Sequence, residues 1–313
     1  MRLAAVMGWF IASGAASVTH AGEDGVIGSI QLHRVRSSES LIEIARDYDI
    51  GFNEIAAANP RLDAFVPPKG AKVVIPTAFI LPSVIAPGII VVNLSEMRLY
   101  YRFTAEGEGQ ALFTAPIGTA IEGRSTPLGI FSVTQKQLNP HWYPPRSVRK
   151  ERPELPPSVP PGPDNPLGTH AMRLSSPRIM IHGTNRPFGV GRRVSHGCIR
   201  LYPEDIVRLY GLVPVGTKVM VVREPVKVGL SDKRVYVQVH ADPDVKFDYA
   251  SLARRLLGER GLADKVDPSK LETVLRKRNG IPAEVTREEV ATRPEVTREE
   301  LVTRSDERTS YLR

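Results

Sequence analysis

Residues 194–201 read Val-Ser-His-Gly-Cys-Ile-Arg-Leu, and they contain Cys198, the only cysteine among 313 residues. A second stretch, residues 179–184, reads Ile-Met-Ile-His-Gly-Thr and places His182 at the end of an apolar, strand-like run. A thiolate is the nucleophilic form of cysteine, and a nearby imidazole lowers the thiol pKa and accepts its proton. The two stretches therefore predict a catalytic pair, with Cys198 as the nucleophile and His182 as the base.

The residues that flank Cys198 have predicted supporting roles. His196 is tied to the cysteine through one glycine, so we expect it to fix the loop or support an oxyanion site rather than act as the base. Gly197 permits a sharp turn, after which the amides of Gly197 and Cys198 could meet one oxygen and stabilise the transition state by roughly 3 kcal/mol. Arg200 is placed to bind a substrate carboxylate by paired hydrogen bonds, with a surface salt bridge as the alternative.

The group that orients the His182 ring is left open by the sequence. No Asp or Glu adjoins His182, so we expect Thr184, Ser195 or a backbone carbonyl to do so. Thr184 is also a candidate substrate-binding residue, and Ser195 a candidate support for the oxyanion site. A zinc site of the two histidines and the cysteine is the rival chemistry, but it lacks a fourth ligand and would crowd a tetrahedral ion. We therefore predict no metal site.

The N-terminus predicts export. Arg2 is followed by an apolar run over residues 3–12 and by small residues that end at Ala21, so residues 1–21 read as a cleavable signal peptide. The alternative is an uncleaved membrane tether. In an exported protein cysteines are normally paired, and a single cysteine cannot form an internal disulfide. A buried structural thiol is the remaining alternative to a nucleophile.

Composition limits the partners. The length of 313 residues allows one large and one small globular domain, and the 42% hydrophobic content is enough for their cores. The formal net charge is +8. Basic residues are scattered and are not interleaved with aromatic residues, so we do not expect nucleic-acid binding. An anionic surface, such as a membrane or a cell-wall polymer, is the expected environment.

Hydrophobic patterning predicts a small α+β module over residues 30–77 and a mostly β domain over residues 88–224. The expected elements of the module are, in order, a strand at 31–35, a helix capped by Ser38 or Ser40, a helix at 53–58 and a closing strand at 70–76. The segment 139–166 contains ten prolines, which predicts a long stiffened loop without helix or central strand. A short helix is expected at 203–211.

The C-terminal part is predicted as a strand extension over residues 225–250, followed by helices and then a charged, disordered tail over 251–313. Residues 284–289 read Glu-Val-Thr-Arg-Glu-Glu, and residues 295–300 repeat the same six residues. Two copies interrupted by Pro294 are too few for a coiled coil.

The two stretches around His182 and Cys198 together resemble the active-site signature of the L,D-transpeptidases, whose catalytic domain is called YkuD-like. Further similarities are Ile-Gly at 117–118, Thr-Pro-Leu-Gly at 126–129 and Asn-Pro-Leu-Gly at 165–168. The module at 30–77 resembles the LysM module, which binds glycans such as peptidoglycan, although Ser38 stands where that module usually has glycine. A LysM-like module followed by a YkuD-like domain is similar to the periplasmic branch of this family, which includes the enzymes that anchor Braun's lipoprotein.

The resemblance implies a β-sandwich catalytic domain that needs no cofactor and acts on peptidoglycan stem peptides and glycan, in the periplasm and as a monomer. Cys198 would attack the third-residue carbonyl of a tetrapeptide stem, release D-alanine and pass the acyl group to a stem amine or a lipoprotein lysine. His182 would take the thiol proton. An L,D-carboxypeptidase that trims stems and a non-catalytic peptidoglycan-binding protein remain as alternatives.

Overall fold

The structure is a computed structural model that describes residues 25–105, 107, 109–242 and 244–288. Its strands are β1 (Val26–Gly28), β2 (Gln31–Arg34), β3 (Lys72–Ile75), β4 (Ala78–Ile80), β5 (Ile89–Asn93), β6 (Arg98–Ala105), β7 (Gly109–Pro116), β8 (Thr119–Ala120), β9 (Gly129–Leu138), β10 (His170–Leu174), β11 (Met180–His182), β12 (Arg193–Ser195), β13 (Ile199–Arg200), β14 (Lys218–Val222), β15 (Val226–Ser231), β16 (Arg234–Val239) and β17 (Ala283–Glu284). Its α-helices are α1 (Leu41–Asp47), α2 (Phe52–Ala58), α3 (Arg146–Glu151), α4 (Pro203–Leu212), α5 (Tyr249–Glu259) and α6 (Pro268–Lys277).

The largest element is an eight-stranded sheet, which confirms the prediction of a mostly β fold. Its strand order is β13-β11-β10-β9-β14-β5-β6-β7. Two pairs, β14 with β5 and β11 with β13, are parallel, and the others are antiparallel. Buried residues from opposite ends of this order, such as Ile199 and Phe113, belong to one core cluster. A flat sheet would hold its outer strands far apart, so the sheet curls around its core.

The N-terminal unit has the strand–helix–helix–strand order predicted for residues 30–77. Ser40 caps α1, because its hydroxyl accepts a hydrogen bond from the Glu43 amide while the Glu43 carboxylate accepts one from the Ser40 amide. Asn59 ends α2 and joins it to β3 through hydrogen bonds in both directions with Val74 at 2.8 Å. Ser38 has a φ of 68°, which lies in the left-handed region where glycine is favoured.

The N-terminal unit is held against the eight-stranded sheet by a buried ion pair, and against the region around α4 by further polar contacts. Arg98 of β6 donates two hydrogen bonds to the Glu54 carboxylate, at 2.9 and 3.0 Å, and both side chains are almost fully buried. Arg46 of α1 makes a bidentate pair with Glu204 at the start of α4. The Tyr202 hydroxyl donates to the Ile50 carbonyl. Since Tyr202 lies four residues after Cys198, this contact fixes the chain just downstream of the predicted nucleophile.

The proline-rich segment differs from its prediction, because it contains α3. The helix occupies Arg146–Glu151, a run that is free of proline, and the prolines before it lie outside its hydrogen-bonded turns. Asn165, which is fully buried, ties the segment down: its side-chain amide donates to the carbonyls of Pro140 and Pro160. The segment is therefore an ordered part of the fold that contains a helix, and not only a loop.

The C-terminal part differs from the predicted division at residue 250. That boundary falls inside α5, and the apolar side chains of α5 and α6 share one core with β15 and β16. The separate patterns of strand and helix hid this core, because each element buries only one face. The side-chain amide oxygen of Gln238 accepts from the Ile80 amide, and Lys227 pairs with Glu96, so the C-terminal unit also contacts the rest of the chain through buried polar groups.

The first copy of the duplication is ordered up to Glu288, in contrast to the predicted disordered tail. Glu284 belongs to β17, and Val285 is fully buried. The second copy and the predicted signal peptide at 1–21 lie outside the described residues. Within the described ranges, none of the helices has the length and apolar character needed to cross a membrane.

Candidate active site

The structure brings the two sequence stretches together as adjacent parallel strands. In the pairing of β11 with β13, His182 lies opposite Arg200 and Ile181 lies opposite Ile199. The two isoleucines point into the core, so His182 and Arg200 lie on the opposite face of the sheet. Cys198 immediately precedes β13, two residues before Arg200. If the strand spacing and rise extend one residue beyond β13, the backbones of His182 and Cys198 lie about 8 Å apart, a separation that an imidazole ring and a thiol can bridge.

The His182 ring is buried and oriented by the backbone. Its Nδ1 is 2.6 Å from the carbonyl oxygen of Gly183, to which it donates as the protonated nitrogen. Burial, with a smaller contribution from the Arg200 guanidinium, lowers the pKa of His182 to about 3, against the opposing effect of the Gly183 hydrogen bond. His182 is therefore a neutral imidazole whose Nε2 lone pair is free to accept a proton.

Cys198 is half-buried immediately before β13, and its thiol is the protonated form. Burial raises the pKa of Cys198, while the Met180 amide, Arg200 and Arg173 lower it less strongly. The thiol donates to the Arg178 carbonyl oxygen at 3.8 Å. At rest the site therefore holds a thiol and a neutral imidazole, rather than a thiolate and an imidazolium.

The turn before Cys198 is locked by Ser195. The Ser195 hydroxyl donates to the Cys198 carbonyl oxygen at 2.6 Å and accepts from the Gly197 amide at 3.2 Å. Gly197 has a φ of 122°, and a side chain there would lie 3.2 Å from the Ser125 carbonyl oxygen, so only glycine fits without strain. The Gly197 amide is engaged in this bond, which favours a structural role for it over the predicted oxyanion role.

Thr126 holds the same turn from the other side, and sequence reasoning missed this role. Its hydroxyl donates to the Gly197 carbonyl oxygen at 3.1 Å and is buried. Strand β9 begins at Gly129, so Thr126 precedes the strand, and its hydroxyl reaches the turn at Gly197. The only sequence signal for this contact is a threonine just before a proline.

Arg200 points its side chain onto the face that His182 shares. Its backbone amide and carbonyl pair with Gly118, which fixes the position of the strand. Its buried Nε has no hydrogen-bond partner in the described part of the chain. Burial lowers the pKa of Arg200, and the guanidinium lowers the pKa of both His182 and Cys198. The predicted surface salt bridge does not account for this buried Nε.

Thr184 shapes the turn that follows β11. It is buried, and its hydroxyl accepts from the Arg186 amide at 2.9 Å. A side chain on Gly168 would come within 2.8 Å of the Thr184 amide nitrogen, so the Asn-Pro-Leu-Gly stretch packs directly beneath this turn. These contacts give Thr184 a structural role, and it does not orient the His182 ring, which is bound to the Gly183 carbonyl.

His196 points away from the cysteine towards the proline-rich segment. Its Nε2 is 2.9 Å from the Glu151 carboxylate of α3, and Glu151 also pairs with Arg124. The contact agrees with the predicted role of His196 in fixing the loop. Sequence reasoning missed Glu151, because a helix was not expected in that segment and the two residues are distant in sequence. The pairs Arg124–Glu151 and Glu151–His196 connect the α3 segment to the turn of Cys198.

A metal centre does not form among these groups. Over the described ranges, no set of three or more His, Cys, Asp or Glu side chains is close enough to hold a metal ion. His182 and His196 point to different partners, the Gly183 carbonyl and the Glu151 carboxylate.

Known proteins are similar to this protein over most of its chain. Residues 87–221 match the YkuD family, described as the L,D-transpeptidase catalytic domain. The relative named "Probable L,D-transpeptidase ErfK/SrfK" from Salmonella typhimurium is 37% identical over 80% of this chain and 84% of its own length. "Probable L,D-transpeptidase YcfS" from Escherichia coli is 34% identical over 85% of this chain and 87% of its own length. "Probable L,D-transpeptidase YbiS" from Escherichia coli is 35% identical over 80% of this chain and 84% of its own length. The chain therefore belongs to the L,D-transpeptidase family of acyltransferases.

Proposed function

We propose that this protein transfers peptidoglycan stem peptides in the periplasm, with Cys198 as the nucleophile and His182 as the base. The Cys198 sulfur attacks the carbonyl carbon of the third residue of a tetrapeptide stem, a diamino acid, while His182 Nε2 takes the thiol proton. The bond to the terminal D-alanine breaks, and its nitrogen receives that proton from His182. D-Alanine leaves, and the stem remains on Cys198 as a thioester.

The second half of the reaction runs in the opposite direction. An acceptor amine attacks the thioester, His182 removes one of its protons, and Cys198 departs as the thiol. The acceptor is the side-chain amine of another stem, which gives a 3→3 cross-link, or the lysine of a lipoprotein. Water as the acceptor would instead give carboxypeptidase products.

The observation that carries this proposal is the pairing of β11, which ends at His182, with β13, which follows Cys198, together with the neutral state of the imidazole and the thiol. A general base must have a free lone pair near the proton it accepts. The bond from Nδ1 to the Gly183 carbonyl fixes the tautomer with Nε2 unprotonated, and burial keeps it neutral at physiological pH. The raised pKa of Cys198 means that the thiol keeps its proton until attack, so the base is needed in the chemical step.

Arg200 is proposed to bind a carboxylate of the stem. Its unpartnered, buried Nε supports this role, because a buried guanidinium donor without an acceptor is costly unless a substrate supplies one. A carboxylate can accept two hydrogen bonds from one guanidinium. Binding there would place an anion beside the cation that depresses the pKa of His182, and would thereby make the imidazole more basic when substrate is present.

The N-terminal unit is proposed to be a LysM-like module that holds the glycan strand, and the mature protein, after loss of residues 1–21, is proposed to be a monomer. The N-terminal unit contacts Glu204 and Tyr202, which lie just after β13. This proximity to Cys198 supports the proposal that the glycan and its stem peptide bind to one continuous surface.

The proposed activity is tested by mass spectrometry of muropeptides after mature protein is incubated with tetrapeptide-bearing peptidoglycan. We expect 3→3 linked dimers and free D-alanine, and lipoprotein-linked stems when the lipoprotein is added. Cys198→Ala should abolish these products, while binding to insoluble peptidoglycan is kept. Tripeptides alone would support the carboxypeptidase instead, and product formation by Cys198→Ala would contradict the assigned nucleophile.

A further inference from the structure

The C-terminal unit holds the first copy of the duplicated sequence in a two-sided slot. One edge of the slot is β16. The Val285 amide donates to the Val235 carbonyl oxygen at 2.8 Å, and the Val235 amide donates to the Thr286 hydroxyl at 2.9 Å. Glu284 pairs with Arg234 at 2.9 Å. We call this site the strand slot; it comprises β16, residues 265–267 and Lys270.

The second edge of the strand slot is the turn that leads into α6. The Asp267 amide donates to the Val285 carbonyl oxygen at 2.8 Å, and the Arg287 amide donates to the Lys265 carbonyl oxygen at 2.8 Å. The backbone of the first copy is therefore bound on both sides, and the Val285 side chain between them is fully buried in the core of the unit. This is how a peptide is recognised by strand addition, with one apolar anchor.

Lys270 completes the slot at its far end. Its ammonium donates to the Thr286 carbonyl oxygen at 3.0 Å and lies 3.4 Å from the Glu288 carboxylate. Five consecutive residues, 284–288, thus each make a contact with the slot through a side chain or the backbone. The strand slot therefore binds the sequence Glu-Val-Thr-Arg-Glu.

We propose that the second copy, residues 295–299, is an alternative occupant of the strand slot in the same chain. It carries the same five residues in the same order. Each contact described for the first copy can therefore be formed again by a residue of the same type. The slot is a binding site for this sequence, and the chain supplies two ligands for it.

The first copy is favoured at rest for two reasons. The chain enters from Gly280, whose amide donates to the Val239 carbonyl oxygen, and three residues separate it from the first copy. Fourteen residues separate Gly280 from the second copy, so the connecting loop is longer by a little over two doublings. The higher entropy of closing this loop lowers the occupancy of the strand slot by the second copy roughly eightfold. In addition Pro294 takes the place of Ala283, which pairs with Val237, and proline cannot donate to a strand ladder.

Exchange between the copies is tested by amide hydrogen exchange of the Val235 and Asp267 amides in the full-length protein. We expect Val285→Asp, which puts a charge into the apolar anchor position, to lower protection only about eightfold, because the second copy fills the slot. Val296→Asp alone should change nothing, and Val285→Asp/Val296→Asp should lose the protection entirely. Val290→Asp is the matched control, since Val290 lies between the copies, and it should have no effect in either background.

The proposal is overturned if Val285→Asp exchanges as fast as the double variant. Should the double variant lose the fold of the C-terminal unit, a peptide of residues 294–300 added to it decides the matter. Restored protection supports the site, and no response at millimolar peptide overturns it, with an Asp-for-Val peptide as the control. Protection in Val285→Asp that depends on protein concentration would overturn exchange within one chain.

Discussion

Two histidines lie close to Cys198 in this enzyme, and their surroundings are opposite. His182 is buried on a strand of the main sheet, its ring is bound to a backbone carbonyl, and its pKa is lowered to about 3. His196 is only two residues from the cysteine, yet its ring is exposed and bound to the Glu151 carboxylate. The residue nearer in sequence is therefore the one that points away.

The difference comes from what holds each ring. His182 is placed by the ladder between β11 and β13, which aligns it with Arg200 and leaves no freedom to the backbone. His196 lies in the turn that Ser195 closes, and this turn directs the carbonyls of Gly197 and Cys198 to protein donors. Hydrogen bonds between strands align two stretches that are distant in sequence, whereas the polar groups of a tight turn are used to stabilise the turn.

The largest expected effect separates the two rings directly. His182→Gln removes the base and should lower the rate of Cys198 acylation by about 10²–10⁴-fold. His196→Gln removes only a contact with α3 and should lower it less than tenfold. Acylation by a carbapenem, followed by loss of its absorbance and by the mass of the adduct, measures both variants. Equal losses would mean that the comparison is wrong and that both rings take part in proton transfer.

Circular dichroism should accompany those rates, because His182 is buried and its replacement can disturb the core. His182→Asn serves as a second variant, since its shorter side chain can still donate to the Gly183 carbonyl. Both variants should lose activity while they keep the melting transition of the wild type to within a few degrees.

The pH dependence sharpens the same comparison. A base with an ordinary pKa of about 6.5 loses activity about tenfold for each pH unit below that value. The pKa of His182 is about 3, so the imidazole stays neutral and the acylation rate should be flat from pH 8 down to about pH 5. Stopped-flow carbapenem acylation over this range is the measurement. A fall centred between pH 6 and 7 would show that the base is solvated.

The thiol gives an independent check, since the protein has one cysteine. The pKa of Cys198 is raised by burial, so alkylation by iodoacetamide should be slow at pH 7 and should increase steadily beyond pH 8.5. Rapid alkylation at pH 6 would instead indicate a thiolate–imidazolium pair at rest.

The linkage to stability has a definite sign. In the unfolded chain His182 is protonated below about pH 6.5, whereas in the folded protein it remains neutral until about pH 3. The unfolded state therefore binds more protons between these values, and stability falls as the pH is lowered through this range. His182→Gln should flatten this part of the stability profile.

The sequence was sufficient to predict the strand that positions His182 and the turn before Cys198. It was insufficient to predict contacts between side chains that are distant in sequence. The apolar run that ends at His182 predicts one strand, and Gly197 predicts the turn before Cys198; the short strand β13 was not predicted. One of the three expected orienting groups, a backbone carbonyl, is the one observed. The contact of Glu151 with His196 could not be predicted, because it depends on a short helix within a proline-rich segment.

The C-terminal unit was misread for a related reason. Each copy of the duplicated sequence has one apolar residue among charged ones, so periodicity carries no strand signal. Val285 is buried only because β16 and the turn before α6 provide hydrogen-bond partners on both of its edges. Such a strand is specified by its surroundings and not by its own pattern.

The smallest expected effect concerns the exposed ring of His196 and its partner Glu151. Glu151→Gln should weaken the link from α3 to Arg124 and His196, and because exposed ion pairs contribute little, acylation should slow only roughly two- to fivefold. The loss should appear mainly in KM, since the reacting groups are untouched and only the contact of α3 with the turn before Cys198 is weakened. Glu154→Gln is the matched control: it breaks the neighbouring Arg152–Glu154 pair, which does not contact the turn. Raising the salt concentration should reduce the difference between wild type and Glu151→Gln, because salt screens exposed charges. A loss as large as that of His182→Gln would instead place Glu151 in the proton-transfer chemistry.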